Sequence, residues 1–513
     1  MSRLASLFSA QTRRPSMTAP TQNREGYPAF EADDKTQYTQ TLLTNTFGKT
    51  YYASQRDLVK EGLELHDKML QSDPEFMAKA AAYARNRGYM RSQPTVALAK
   101  LMGYKGTSEE VQRRRGVAEK VFGKVIKTPN DLLDLFVLME SFGAVPNGRR
   151  IKRMVSSWLN EKMSEYWAIK YGTTKKGAWN MSRVIKHVHP GHNELYRYLR
   201  YRKKDDKWAA DISELAQVKA FEALKGASTD TDKVRLITEG RLPHEVATSF
   251  AGSSKVVWDA IVPQLPVFAL LKNLATLERH GVLDTNRKLI EGKLTDPEVI
   301  KRSRILPFRF LTASEHVASA WCVDALRESL ELSFENIPDV KGRTVIALDI
   351  SGSMSGQFLR VASIFAISLM KKADLDGRLL LFDTRLEEFR VSKRDSILTQ
   401  AQRIRARGGT DTSLPVRWLL QQGEKTDNFI MITDEQQNAG TPFCDVLARY
   451  KHQVAPELKT FVVDVSPYRS YLLPTDLPDV SYIFGWSDQV LQFISLASEG
   501  WDAMASYISE QKL

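Results

Sequence analysis

Cysteine is nearly absent from this chain: Cys322 and Cys444 are the two among 513 residues, far apart and with no Cys or His at ligand spacing. That excludes a disulfide scaffold and a zinc finger, and it points to a reducing, intracellular setting. Long apolar runs are missing too. No stretch reaches the ~18 uninterrupted apolar residues of a membrane-spanning helix, and the most apolar window, Val262 to Leu274, contains two prolines. A cytoplasmic protein without a membrane partner is expected. With 28 Gly, 20 Pro, 42% hydrophobic and 26% charged residues, the chain is neither collagen-like nor wholly disordered. Acids are missing from the first 23 residues, which carry Arg3, Arg13 and Arg14 among Ser and Thr. This reads as a flexible tail over residues 1–21 rather than an organelle transit peptide.

What is present is length and an uneven positive charge. The chain is roughly three times the ~150 residues of an ordinary domain, so at least two cores are required. The net charge is +12, yet residues 343–513 carry 19 Lys+Arg against 21 Asp+Glu, net −2, which leaves +14 to the residues before them. Residues 149–207 alone hold 16 basic and five acidic residues, net +11. So focused a patch asks for a polyanion. The same segment interleaves Trp158, Tyr166, Trp167, Tyr171, Trp179, Tyr196, Tyr198 and Tyr201 with His187, His189 and His192. Cations neutralise phosphates and aromatic faces stack on unpaired bases, so the mixture suits RNA. The competing reading is a solvated helix face over aromatic core residues. The run Tyr196 to Lys204, as a helix, sets Arg197, Arg200 and Lys204 on one face. The histidines have no carboxylate or Cys close by in sequence, which disfavours a metal there.

From about Lys35 to Leu332 the apolar residues recur at helical spacing, as in Leu132, Leu133, Leu135, Phe136, Leu138 and Met139 after the start signal Thr128-Pro129. Glycines at 88, 103, 123 and 143 cut the pattern into helix-sized pieces, which suggests HEAT-like paired helices. After Gly342 the character changes to short apolar runs, TVIALD (344–349), RLLLFD (378–383), NFIMITD (428–434), KTFVVDV (459–465) and SYIFGW (481–486), separated by helical segments. Such alternation predicts a mostly parallel sheet covered on both faces, with ligands beyond the carboxyl ends of its strands.

Polar residues gather at those ends: Asp349, Ser351 and Ser353 after the first strand, Thr410 in the loop 407–412, and Asp434 after NFIMITD. Carboxylate and hydroxyl oxygens from three loops suit a divalent ion, Mg²⁺ above all. Helix capping alone accounts for Ser351 and Ser353 but not for Thr410 and Asp434. A hydrolase elbow, Gly-x-Ser-x-Gly, fails because Met354 stands two places after Gly352. An aspartyl-phosphate enzyme normally wants a second Asp where this chain has Ser351. No catalytic residue is assigned.

ALDISGSMSG, GGTDTSLP and MITDE resemble the metal-ion-dependent adhesion site of a von Willebrand factor A domain. Upstream, YARNRGYMRSQPTVALAKLM (83–102), RLPHEVA (241–247), PVFALLKNLATL (266–277) and ILPFRFLTA (305–313) resemble the TROVE module of the Ro autoantigen family. The resemblance implies an α plus α/β protein, with HEAT-like helical repeats over 22–342 forming a ring closed by a Rossmann-like A domain over 343–513. It implies a monomeric RNA chaperone or quality-control protein, not an enzyme. Single-stranded RNA 3′ ends would bind in a central hole, Y RNA on the outer basic surface, and an exoribonuclease such as polynucleotide phosphorylase would be a partner. Carried over by position, the metal residues are Asp349, Ser351, Ser353, Thr410 and Asp434. The Y RNA surface would use Lys170, Lys175, Lys176, Arg197, Arg200 and either His187 or His189, the spacing around Trp179 and Pro190 departing from the family's by a couple of residues. Arg85, Arg87 and Arg91 would face the hole. An A-domain adhesion or assembly scaffold and a metal-dependent hydrolase or nuclease remain as alternatives.

Overall fold

A computed structural model of the chain describes residues 21–144, 146–201, 210–334, 340–372, 377–477, 479–498 and 504–513. The tail with Arg3, Arg13 and Arg14, and Lys204 at the end of the basic segment, lie outside the described residues.

Helices dominate from Asp34 to Leu332 and begin where the sequence supplies caps. The helix Pro129–Ser141 opens on Thr128, whose hydroxyl accepts from the Asp131 amide at 3.2 Å while the Asp131 carboxylate accepts from the Thr128 amide at 3.0 Å. Two orphan donors are thereby satisfied, and Pro129 in the first turn gives up an N–H that had no partner in any case. Ser54 and Thr107 build the same box at Gln55–Ser72 and Ser108–Val125. Gly123 does not break its helix as the spacing suggested. It lies inside Ser108–Val125, and the buried Val121, Phe122 and Val125 around it hold the turn through the ~1 kcal/mol that a helical glycine costs against alanine.

The chain forms two compact units. One comprises Pro94–Ser303 and Ala313–Ala325; its helices are interrupted by a two-residue ladder pairing Lys175–Lys176 with Trp179–Asn180. The other joins the described residues up to Gln93, and Arg304–Thr312, to Leu326–Lys512. The units therefore do not divide between 342 and 343: the helices Asp34–Thr44, Gln55–Ser72 and Pro74–Asn86 belong to the same unit as the α/β part. Asn23 Nδ2 donates to the Gln437 carbonyl at 2.7 Å and Lys79 Nζ to the Ser509 carbonyl at 2.7 Å, closing contacts across more than 400 positions.

Six strands make the sheet of this unit: β1 (Thr344–Asp349), β2 (Gly377–Phe382), β3 (Leu386–Glu388), β4 (Asn428–Thr433), β5 (Lys459–Asp464) and β6 (Val480–Phe484). Their order is β6-β5-β4-β1-β2-β3, parallel throughout except that β3 runs antiparallel to β2 at the edge. The five strands read from sequence are present within one or two residues. Every residue of β1 and β4 is buried, which is why they read as unbroken apolar runs. Gly377 is dictated by close approach, since a Cβ there would lie 1.7 Å from the Thr344 carbonyl oxygen. The chain leaves β1 toward β2 on one side and returns to β4 on the other, so the topological switch point lies between the carboxyl ends of β1 and β4. No described helix is long and apolar enough to cross a membrane. Cys322 and Cys444 are free and buried.

Candidate functional site

Asp349 ends β1 and Asp434 follows β4, so both carboxylates stand at the switch point, and neither is exposed to solvent. Asp349 is oriented by two donors, the Ser351 amide at 2.9 Å and the Thr433 hydroxyl at 2.6 Å. Ser351 and Ser353 bring their hydroxyl oxygens to 3.2 Å from each other, and the Asp434 carboxylate hydrogen-bonds Ser353. The loop carrying Thr410 is tied to the same place: the Arg407 amide donates to the Ile350 carbonyl at 2.7 Å and the Gly352 amide to the Gly408 carbonyl at 3.0 Å. Gly408 has φ +68°, and a Cβ on it would lie 2.7 Å from Asp383 Oδ2, so this loop requires glycine. Asn438 holds Thr410 from the other side, its Oδ1 accepting from the Thr410 amide at 2.8 Å. The five residues picked from sequence thus converge.

Burial raises the Asp349 carboxyl pKa above the usual carboxylate range, against the hydrogen bonds from Thr433 and Ser351, with the charge of Asp383 adding to it. Burial, and then the charge of Asp349, push Asp434 well above that range. Asp434 Oδ2 and the hydroxyls of Thr410 and Thr412 are buried with no hydrogen-bond partner among the described residues. Two buried carboxylates with raised pKa and unpartnered hydroxyls, with no soft donor, fit a hard divalent cation such as Mg²⁺. Among the described residues no three of His, Cys, Asp or Glu gather for a metal, which is the difference between this hydroxyl-rich set and a zinc-type site.

Sequence reasoning missed the neighbours that shape this site. Thr433 orients Asp349, Asn438 fixes Thr410, and Tyr52, from the amino-terminal helical region, hydrogen-bonds Ser353 and Glu25. Thr433 and Asn438 lie within four residues of Asp434 and were findable as polar residues past a strand end. Nothing in the letters pairs Tyr52 with Ser353.

The basic segment is less unified than its composition suggests. Trp158, Trp179, Tyr196 and Tyr198 are buried, so these four are core residues and offer no stacking face. Trp179 packs edge-on against Phe136 at 4.8 Å and against His187 at 5.5 Å, in the centre of the fold of this segment. Lys176 is ion-paired with Asp134, and Lys170 sits 2.9 Å from Glu245, so with the exposed Lys175 they do not form one cationic surface. His187 spends Nε2 on the Pro146 carbonyl at 2.7 Å. His189 is exposed in a left-handed conformation, φ 54°, and lines a cleft of about 580 Å³ with His192, Tyr196, Arg197, Arg200 and Tyr201. Arg200 lies 5.0 Å from the Tyr201 ring centroid, a cation next to an aromatic face. Arg85 is half-buried in the last turn of Pro74–Asn86, while Arg87 and Arg91 are exposed just after it. Arg87 donates to Gln489 at 3.3 Å, and its carbonyl accepts from Ser487 at 2.8 Å.

Fold and site together define a helical protein carrying a von Willebrand factor A-type domain with an oxygen-lined crevice at its switch point. Comparison with known proteins gives the same class. Residues 241–347 match the TROVE domain family and residues 343–496 the Ro60 vWA domain family. The chain is 26% identical over 480 residues to the RNA-binding protein RO60 of Deinococcus radiodurans, spanning 86% of this chain and 88% of that one. It is 30% identical over 264 residues to the RNA-binding protein RO60 of Caenorhabditis elegans, covering 46% of this chain and 40% of that protein. The crystal structure of the Deinococcus radiodurans Ro (RSR) protein superposes with a TM-score of 0.64 at 21% identity, covering 92% of this chain and all of the other. The chain thus matches the TROVE and Ro60 vWA families over these residues and is similar to bacterial Ro proteins.

Proposed function

We propose that this chain is an RNA-binding protein of Ro type that holds RNA without cutting it. The observation that carries the reading is the cleft in which His189, Arg197 and Arg200 converge with Tyr201: an exposed and a half-buried guanidinium beside an aromatic face, built by the segment whose net charge is +11. The relatives named above as RNA-binding proteins support it. In this reading structured small RNA of the Y type binds at this cleft and along Lys175. His189 rather than His187 is the contact, because His187 is committed to Pro146. Arg85, Arg87 and Arg91 serve single-stranded 3′ ends of misfolded RNA. A cytoplasmic monomer that hands RNA to an exoribonuclease such as polynucleotide phosphorylase is the corresponding role.

The A-domain site is proposed to hold Mg²⁺ on Ser351, Ser353 and Thr410, with Asp349 and Asp434 directly or through water. A bound ion supplies positive charge and open positions for an oxygen ligand. Asp349, fixed by Thr433 and the Ser351 amide, acts as ligand or ligand-orienting group. The hydroxyls of Thr433 and Ser353 that meet Asp349 and Asp434 hold those carboxylates in place, which disfavours the hydrolase or nuclease reading. Purifying the chain from its host and sequencing the co-purified RNA tests the proposal. Enrichment of a small structured RNA together with truncated or mispaired RNAs is the expected result; a profile matching total cellular RNA contradicts it.

A further inference from the structure

We propose that a second cleft, on the mainly helical unit, takes one unpaired nucleotide of a single-stranded RNA. The inference rests on the RNA-binding reading and adds a site to it. The cleft has a volume of about 760 Å³, and its lining includes Tyr166, Thr238, Arg241, His244 and Gln264. That volume is in the range of small-molecule sites and is ample for a nucleotide.

Each wall carries a group that a nucleotide uses. Gln264 donates through Nε2 to the Ile237 carbonyl at 3.1 Å, which fixes the amide, while its Oε1 is buried with no partner among the described residues. An oriented acceptor left unsatisfied is costly, and the exocyclic amine of a base would satisfy it. Tyr166 supplies a half-buried ring, braced by Lys170, whose Nζ is 5.8 Å from the ring centroid and is itself tied to Glu245 at 2.9 Å. That pairing explains why Lys170 stands apart from Lys175 and Lys176. Arg241 is exposed at the end of Asp230–Gly240 in the left-handed conformation, φ 45°, a strained position for a residue other than glycine. It puts a guanidinium at the mouth where a phosphate would lie. Burial lowers the His244 pKa, opposed by Glu245 and aided by Lys170 and Lys272, so its imidazole is neutral; Nδ1 lies 3.2 Å from Glu245, which leaves Nε2 as an acceptor. The acidic lining residue, Asp259, is occupied by Lys255 at 2.8 Å and Asn286 at 2.7 Å. Beyond the cleft, Phe268 is exposed with Lys272 Nζ 4.4 Å from its ring centroid, a second stacking face on the way out.

The test uses the full chain, a uridine-rich single strand carrying thiouridine, and a stem-loop RNA without a single-stranded tail. Photo-cross-linking should map to Tyr166, Thr238 or His244. Arg241→Gly keeps the left-handed backbone at no conformational cost, so it isolates the guanidinium. It should lower the salt slope of single-strand binding by about 0.7. Tyr166→Leu should weaken single-strand binding roughly tenfold, as loss of one stacked base does, and both variants should bind the stem-loop as the unaltered chain does. If the unaltered chain binds RNA but cross-links elsewhere, with both variants unchanged, this site is overturned while the RNA reading stands. If the unaltered chain binds neither RNA, both fall.

Discussion

Asp349 and Asp434 show how a residue's environment decides its role. Each is fully buried, the charge of Asp349 raises Asp434, and Asp434 Oδ2 has no partner among the described residues. The folded protein holds them together at a cost that a cation would offset. Mg²⁺ should therefore raise the melting temperature, by the equivalent of about 2.7 kcal/mol when present at a hundred times its Kd. Asp434→Asn should abolish this shift and, in chelator, melt no lower than the unaltered chain, since it removes one of two repelling charges. Calorimetry with Asp349→Ala should show no saturable Mg²⁺ binding while RNA affinity is kept. A metal-dependent shift that survived both substitutions would exclude this site. These five residues were legible because the motif is local to three loops. Tyr52 was not, because its contact with Ser353 joins residues some 300 positions apart.

At the scale of elements, the strands were the most legible feature, since β1 and β4 are buried on both faces and show it as continuous apolar letters. The edge strand β3 was invisible: three residues, two of them exposed glutamates, carry no pattern. The basic segment shows the opposite failure, where composition is clear and placement is not. Lys170, Lys175 and Lys176 are near one another in sequence, but a short hairpin and two separate ion pairs send them to different surroundings. A triple Lys170, Lys175 and Lys176→Ala variant should therefore lower the salt slope of stem-loop binding by only about 0.7 to 0.9, one phosphate contact rather than three. Trp179→Ala should cost about 3–5 kcal/mol of stability, the usual loss for a large buried aromatic, and damage stem-loop binding through unfolding of the hairpin. Thermal melts and titrations at several salt concentrations separate the two effects. A slope change of two or more for the lysine variant would mean that the three side chains share a site after all.

For the whole molecule, the charge asymmetry is the property that was read correctly without any structure, because net charge is a sum and needs no geometry. The packing of the amino-terminal helices with the A-domain sheet was not readable, because it rests on contacts such as Asn23 with Gln437 and Gln40 with Asp464. On the proposed RNA-holding role, labelled RNA incubated with the protein and Mg²⁺ should remain intact. Cutting that stopped in Asp349→Ala would replace this account with a nuclease. Its central claim, that the His189 cleft grips structured RNA mainly through phosphate neutralisation, is tested most directly by one measurement: the salt dependence of stem-loop affinity for the unaltered chain, for His189→Ala and for Arg197→Ala with Arg200→Ala. The arginine pair should lower the slope by about 1.4 to 1.8 units, and His189→Ala should weaken binding while changing the slope less than the arginine pair does. Equal slopes and equal affinities in all three proteins would contradict the account.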